Sequence, residues 1–168
     1  DISSLRDLLM LCTQRVGQKL NIANLANILK ISRQKVYSYL ELLQMTYVIK
    51  LLPQNSSLDN KISSDQKLFF VDNGIANTLG EISQGSQLEN SVYMNLAGRY
   101  DISFYQNRSG GEIDFVLNNK IGLEVKAAPS KQDVATLKKR ADSAGLKDFY
   151  VVGATFMDLK DVVMAWDC

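Results

Sequence analysis

The stretch from Glu112 to Lys126 restricts the fold more than any other part of the chain. Glu112-Ile113-Asp114-Phe115-Val116-Leu117 and Ile121-Gly122-Leu123-Glu124-Val125-Lys126 each alternate with a period of two residues, the pattern of half-buried strands. Ile113, Phe115 and Leu117 share one face of the first; Ile121, Leu123 and Val125 share one face of the second. The short connection makes the pair a hairpin, and its register decides what the other faces bring together. A two-residue Asn118-Asn119 turn would set Asp114 opposite Leu123, with Glu124 on the far face. A three-residue loop, 118–120, pairs Leu117 with Ile121, Phe115 with Leu123 and Ile113 with Val125. That register collects the apolar residues on one side and puts Asp114 across from Glu124. An asparagine in the left-handed region makes the three-residue loop accessible.

Two converging carboxylates with Lys126 beside them suit a hard divalent cation, magnesium or manganese. Such an ion lowers the pKa of a bound water and offsets charge on a phosphate in transit. Lys126 would orient the attacking water or neutralise the developing charge. The bland alternative is an ion-pair ladder on a half-exposed strand. Glu89 has two readings of its own. It falls inside the apolar stripe of Leu88, Val92, Tyr93 and Leu96, where a carboxylate needs a partner or a metal. It also stands third after Ser86, which fits a capping box.

Histidine is absent, which excludes Ser-His-Asp and Cys-His triads and HExxH zinc sites. Any hydrolysis must then run on carboxylates, lysines and a hard metal ion. The two cysteines, Cys12 and Cys168, form no CxxC pair, which points to free thiols in a reducing, cytoplasmic compartment. No apolar run reaches membrane-helix length, so no membrane partner is expected. The net charge of +1 gives no global field for nucleic acid. The chain starts at Asp1, as expected of a fragment or processed form.

The first third reads as helical. Ser4 to Asp7 fits a capping box ahead of Leu5, Leu8, Leu9, Cys12 and Val16, with Gly17 as a stop. Asn21 caps a second helix and Ser32 a third, whose Val36, Tyr39, Leu40 and Leu43 form one stripe. A β-rich run, Tyr47 to Leu52, follows. This order suggests a winged helix-turn-helix over residues 1–60. Gln34, Lys35, Tyr37 and Ser38 point away from the stripe. Arg33, Gln34, Lys35 and Ser38 are the candidate nucleic-acid contacts, with Arg33 on phosphate. Residues 1–60 hold seven basic and four acidic residues, and Glu41 on the outward face would repel phosphate.

Residues 53–66 are polar and turn-rich, the expected linker. Residues 61–168 reverse the charge balance, with twelve basic and fourteen acidic residues. They alternate strands (67–71, 102–106, 112–117, 121–127, 149–152) with helices (87–99 and 131–143, the latter opened by a Ser130–Asp133 capping box). This is a mixed α/β unit around a small sheet.

Glu89 on a helix, Asp114 on a strand and Glu124-Val125-Lys126 on the next resemble the PD-(D/E)XK nuclease superfamily, nearest its Holliday-junction-resolvase-like branch. With Ile31 to Leu43, Leu68 to Gly74, Leu88 to Asn90 and Gly111 to Val116, the chain resembles the C-terminal region of prokaryotic AAA-type ATPases. There a winged-helix segment precedes a nuclease-like domain, here residues 61–168. Ile113 stands where the superfamily's proline would be. The resemblance implies an ATPase domain ahead of Asp1, which would be a partner and the sole route to ATP, since no GxxxxGK[ST] loop is present here. It also implies Asp114, Glu124 and the Val125 carbonyl as ligands of magnesium or manganese, and Lys126 and Glu89 as further catalytic residues. DNA and further copies of the chain are the other candidate partners. The expected function is an accessory nuclease-like, nucleic-acid-binding module with magnesium-dependent phosphodiester hydrolysis. The alternative is a non-catalytic protein-interaction module.

Overall fold

The computed structural model describes residues 1–55, 66–107 and 109–167. It is a mixed α/β structure, and its contacts divide it into two units. The first unit holds Asp1–Leu51 and the described residues up to Asn90; the second holds the described residues from Leu52 to Asn55 and Ser91 onward.

In the first unit, helices α1 (Ile2–Thr13), α2 (Ile22–Leu29) and α3 (Arg33–Met45) lead into strand β1 (Ile49–Leu52). Asn21 Oδ1 accepts from the Asn24 amide at 2.9 Å and Ser32 Oγ from the Lys35 amide at 3.2 Å, so both expected caps form. Helix α1 starts earlier than expected: Asp1, not Ser4, is its cap, accepting from the Ser3 amide at 3.0 Å. Val36, Tyr39, Leu40 and Leu43 are buried with Leu8, Cys12 and Leu25 in one core. Burial pushes the Cys12 thiol up to about 12, which keeps it protonated and inert. The other cysteine, Cys168, lies outside the described residues.

Strand β2 (Lys67–Phe70) was expected among the strands of the second part, yet it pairs with β1 in a two-stranded sheet. Leu68 and Phe70 supply the reason, since both side chains complete the core of the first unit. Asp72-Asn73-Gly74 opens a helix after β2. Asp72 caps a short helix, α4 (Asn73–Leu79), by accepting from the Ile75 amide at 2.9 Å. Helix α5 (Gln84–Leu96) begins before residue 87, because Ser83 Oγ accepts from the Ser86 amide at 3.1 Å.

Residues 56–65 of the expected linker lie outside the described residues. Its first residues dock on a strand edge in the second unit. The Phe104 amide donates to Pro53 O at 3.1 Å, and the Asn55 amide donates to Phe104 O at 2.6 Å.

The second unit is a five-stranded sheet in the order β3 (Ile102–Gln106), β4 (Glu112–Leu117), β5 (Ile121–Lys126), β6 (Asp148–Gly153), β7 (Val162–Met164). The first three strands are antiparallel; β5, β6 and β7 are parallel. Helix α6 (Lys131–Ala144) makes the β5–β6 crossover and packs on β4, β5 and β6. Its capping box is complete: Ser130 Oγ accepts from the Asp133 amide while Asp133 Oδ2 accepts from the Ser130 amide. Gly122 lets the crossover sit close, since a Cβ there would meet Leu146 at 2.9 Å. Among the described residues no helix is long and apolar enough to cross a membrane.

Candidate functional site

The β4–β5 hairpin takes the three-residue loop. Leu117 pairs with Ile121 and Phe115 with Leu123. Asn118 and Asn119 both adopt left-handed φ values, 50° and 56°. The pattern beyond Phe115 differs from the sequence reading. On the β3 side the ladder runs Ile102↔Leu117 and Ser103↔Val116, then Tyr105↔Ile113 and Gln106↔Glu112. Two residues, Asp114 and Phe115, therefore oppose the single Phe104, which is a β-bulge. The bulge turns Ile113 toward α6, where it packs with Val116, Leu137 and Val151 instead of sharing a face with Phe115.

The expected Ile113–Val125 pair is consequently absent from the ladder. In its place Asp114 Oδ2 accepts from the Val125 amide at 2.8 Å. A strand residue sends its N–H and C=O to the same side, so the Val125 carbonyl leaves β5 on the Asp114 side. The next carbonyl, that of Lys126, faces the other way and accepts from the Ala154 amide at 3.4 Å.

Glu124 sits on β5 with its side chain 9% exposed. Its Oε1 lies 3.0 Å from Lys126 Nζ and 3.3 Å from Arg140 Nη1. Among the described residues no donor reaches its buried Oε2. Burial pushes the Glu124 carboxyl up, and the Asp114 charge pushes it the same way; Lys126 and Arg140 oppose both. Burial acts to lower the Lys126 ammonium. Its hydrogen bond to Glu124 and the attraction of Glu124, Asp114 and Asp133 outweigh burial, so its pKa is raised.

Arg140 was missed from the sequence. Its Nη1 also donates to the Glu112 carbonyl at 2.7 Å, so one guanidinium joins β4 to Glu124 at the end where the hairpin has opened. The signal was present but faint: Arg140 flanks the Leu137–Ala141 stripe of α6 on the same edge as Asp133.

Glu89 belongs to the first unit, where its Oε1 lies 3.4 Å from Lys67 Nζ. Lys67 is only 1% exposed. Of the two readings of Glu89, the capping box does not form, since Ser83 is the cap and the Ser86 hydroxyl donates to Val16 O at 3.3 Å. Gly17, at φ +75°, leaves room for the carboxylate; a Cβ there would clash with Glu89 Oε2. Among the described residues no three His, Cys, Asp or Glu side chains group as an ion cage. Asp114 lies near enough for its charge to act on Glu124, whose buried Oε2 has no donor among the described residues; oxygens of this kind are the ligands a hard cation takes.

Arg33, Gln34, Lys35 and Ser38 are all exposed on α3. Lys35 Nζ lies over the Tyr39 ring at 4.8 Å, and Ser38 Oγ donates to Gln34 O at 3.1 Å. Arg33 lines a groove of about 460 Å³ with Lys19 and Tyr37, at the start of α2. Glu41 is exposed on the same helix.

The first unit thus carries an exposed helix face with a basic groove beside it, and the second a buried carboxylate held against two cations on a mixed sheet. The chain belongs to the family described as Domain of unknown function (DUF8612), whose profile matches residues 1–86. Residues 84–166 match a second profile, Domain of unknown function (DUF4143). The chain is 34% identical over 128 residues to Uncharacterized protein MJ1544 of Methanocaldococcus jannaschii, a match covering 70% of this chain and 28% of that relative. It therefore spans less than a third of the curated relative it matches. No solved structure matches it.

Proposed function

We propose that the chain is an accessory module of a AAA-type ATPase, a winged-helix segment joined to a PD-(D/E)XK nuclease-like domain, and that it binds nucleic acid and hydrolyses phosphodiester bonds. The observation that carries this reading is the Glu124 carboxylate. It is buried beside Asp114, its Oε2 has no donor among the described residues, and a lysine sits at its exposed edge. A group buried in this way is costly unless something completes it. Asp114, Glu124 and the Val125 carbonyl would hold a magnesium or manganese ion, which when bound supplies a Lewis acid and an activated water. Asp114 fixes the Val125 amide and so the direction of that carbonyl. Lys126, partly exposed, would neutralise charge that develops on a phosphate oxygen. The exposed α3 face and the groove lined by Lys19 and Arg33 would receive the phosphate backbone. Most of the matched relative lies outside the aligned stretch, which leaves length for an ATPase domain in a protein of that kind.

A second reading rests on Arg140. With both Lys126 and Arg140 on Oε1, the cluster resembles an internal ion-pair network, as a non-catalytic protein-interaction module would keep. A nicking assay on branched and linear DNA with magnesium, run beside thermal melts with and without the ion, separates the two. The nuclease reading expects cleavage that Asp114→Asn and Glu124→Gln abolish, and a melt that magnesium raises. Metal-independent melting with no cleavage of any substrate leaves the interaction module.

A further inference from the structure

Both cations that reach the Glu124 carboxylate meet the same oxygen. Lys126 Nζ lies 3.0 Å and Arg140 Nη1 3.3 Å from Oε1, while Oε2 has no donor among the described residues. The two cations are held differently. Lys126 stands two residues along β5 from Glu124, whereas Arg140 reaches across from α6. Its Nη1 also donates to Glu112 O at 2.7 Å. A charge-assisted N–H···O bond ordinarily closes to about 2.7–2.9 Å. The contact to Glu112 has that length and the contact to Glu124 does not. The guanidinium is therefore anchored on the β4 backbone and only leans on the carboxylate, so it can lose the second contact and keep the first. Its side chain is 30% exposed, which lets a guanidinium that leaves Glu124 be hydrated.

Three carboxylates, Asp114, Glu124 and Asp133, act on this cluster against the two cations. One negative charge remains with Arg140 present, and two without it. A divalent ion arriving at Glu124 meets a positive charge already on its ligand, and the two repel. Without either, the buried carboxylate would be left with Lys126 alone. We propose, on the reading that Asp114 and Glu124 hold a divalent ion, that Arg140 is a displaceable counter-ion of that site. It occupies Glu124 while the ion is away and holds down the ion's affinity. When the ion binds, it turns toward solvent, still tied to the Glu112 carbonyl. Loading of the ion is thus a competition for one carboxylate, set by a residue that is not a ligand.

The probe is manganese alone, added to the whole chain and read as loss of the free-ion EPR signal. Arg140→Gln should bind it about tenfold or more tightly than the wild type, because a bond to a charged group no longer competes. Glutamine keeps a donor for the Glu112 carbonyl. Glu124→Gln in the same background should abolish the binding, which places the ion. Lys138→Gln, the loss of an exposed charge on the same helix, should change little. In the wild type, magnesium should shift the Arg140 Nε resonance and speed exchange of the guanidinium protons with water. Equal or weaker manganese affinity in Arg140→Gln, the result of a merely structural Arg140, overturns the competition and leaves the metal site standing. So does Lys138→Gln matching Arg140→Gln, or unchanged guanidinium exchange at saturating magnesium. No manganese bound by either the wild type or Arg140→Gln, or binding that survives Glu124→Gln, overturns the metal site and the competition with it.

Discussion

Replacing Lys67 by methionine tests how the first unit holds together. The lysine is 1% exposed and its ammonium sits 3.4 Å from Glu89 Oε1. Methionine keeps most of the volume and the apolar stem, so packing changes little. What changes is the charge: Glu89, with its side chain 18% exposed, loses the cation it faces. Removing one partner of a buried pair costs about 3–5 kcal/mol. Residual water at Glu89 places this case near the lower end, about 3 kcal/mol. For a chain of this length that is a fall in Tm of about 6–12 °C. Urea unfolding followed by circular dichroism gives the number directly. The double variant Lys67→Met with Glu89→Gln should recover about 2 kcal/mol of the loss, because it removes the carboxylate that faces the substituted side chain as well. Salt should change neither value much, since the pair is shielded from solvent. A single-variant cost below about 1 kcal/mol, or a double variant as weak as the sum of the singles, would refute the argument that the pair is coupled.

Glu124→Gln should stabilise the chain near neutral pH. The carboxyl's pKa is raised in the fold, so its contribution to stability is present below the ordinary value of 4.5 and is lost as pH rises through the folded value; thermal melts across that range should slope downward in the wild type and less in the variant. Arg140→Met should cost about 1–2 kcal/mol by urea unfolding, because Glu124 and the Glu112 carbonyl both lose a donor, and Arg140→Lys should restore only part of it. Arg33→Ala and Lys35→Ala should each weaken DNA binding without regard to sequence and reduce the salt slope by about one unit in a filter-binding titration.

The hairpin register was legible because it depends on nearby residues alone. Only the three-residue loop puts Phe115 and Leu123 together, and the structure has that loop. The α6 capping box and the α3 stripe were legible for the same reason. The bulge was not, because it exists only relative to Phe104 on another strand, and it moves Ile113 from the face its spacing assigns. Glu89 was read two ways, as a carboxylate on an apolar stripe in need of a partner or metal and as the third residue of a capping box after Ser86, and the capping box does not form. The partner, Lys67, could not be read from the chain, because a lysine opening a strand ordinarily reaches for water. Arg140 was hidden by its neighbours Lys138 and Lys139, which make it look like one more charge on a solvated helix face. Helix α4 and strand β7 are too short for periodicity to register.

Asn90 governs where this protein can be cut. It is fully buried, its Oδ1 accepts from the Phe70 amide at 2.8 Å, and its Nδ2 donates to Phe70 O at 3.0 Å and Asn73 Oδ1 at 2.7 Å. One side chain thus serves both main-chain groups of the last residue of β2, as a neighbouring strand would. The first family profile ends at residue 86, short of both Glu89 and Asn90. A fragment made to that boundary would carry Lys67 without Glu89 and β2 with open backbone groups, an invitation to pair with other chains. A unit of expression that keeps these contacts therefore ends no earlier than Asn90, inside helix α5 rather than at its start.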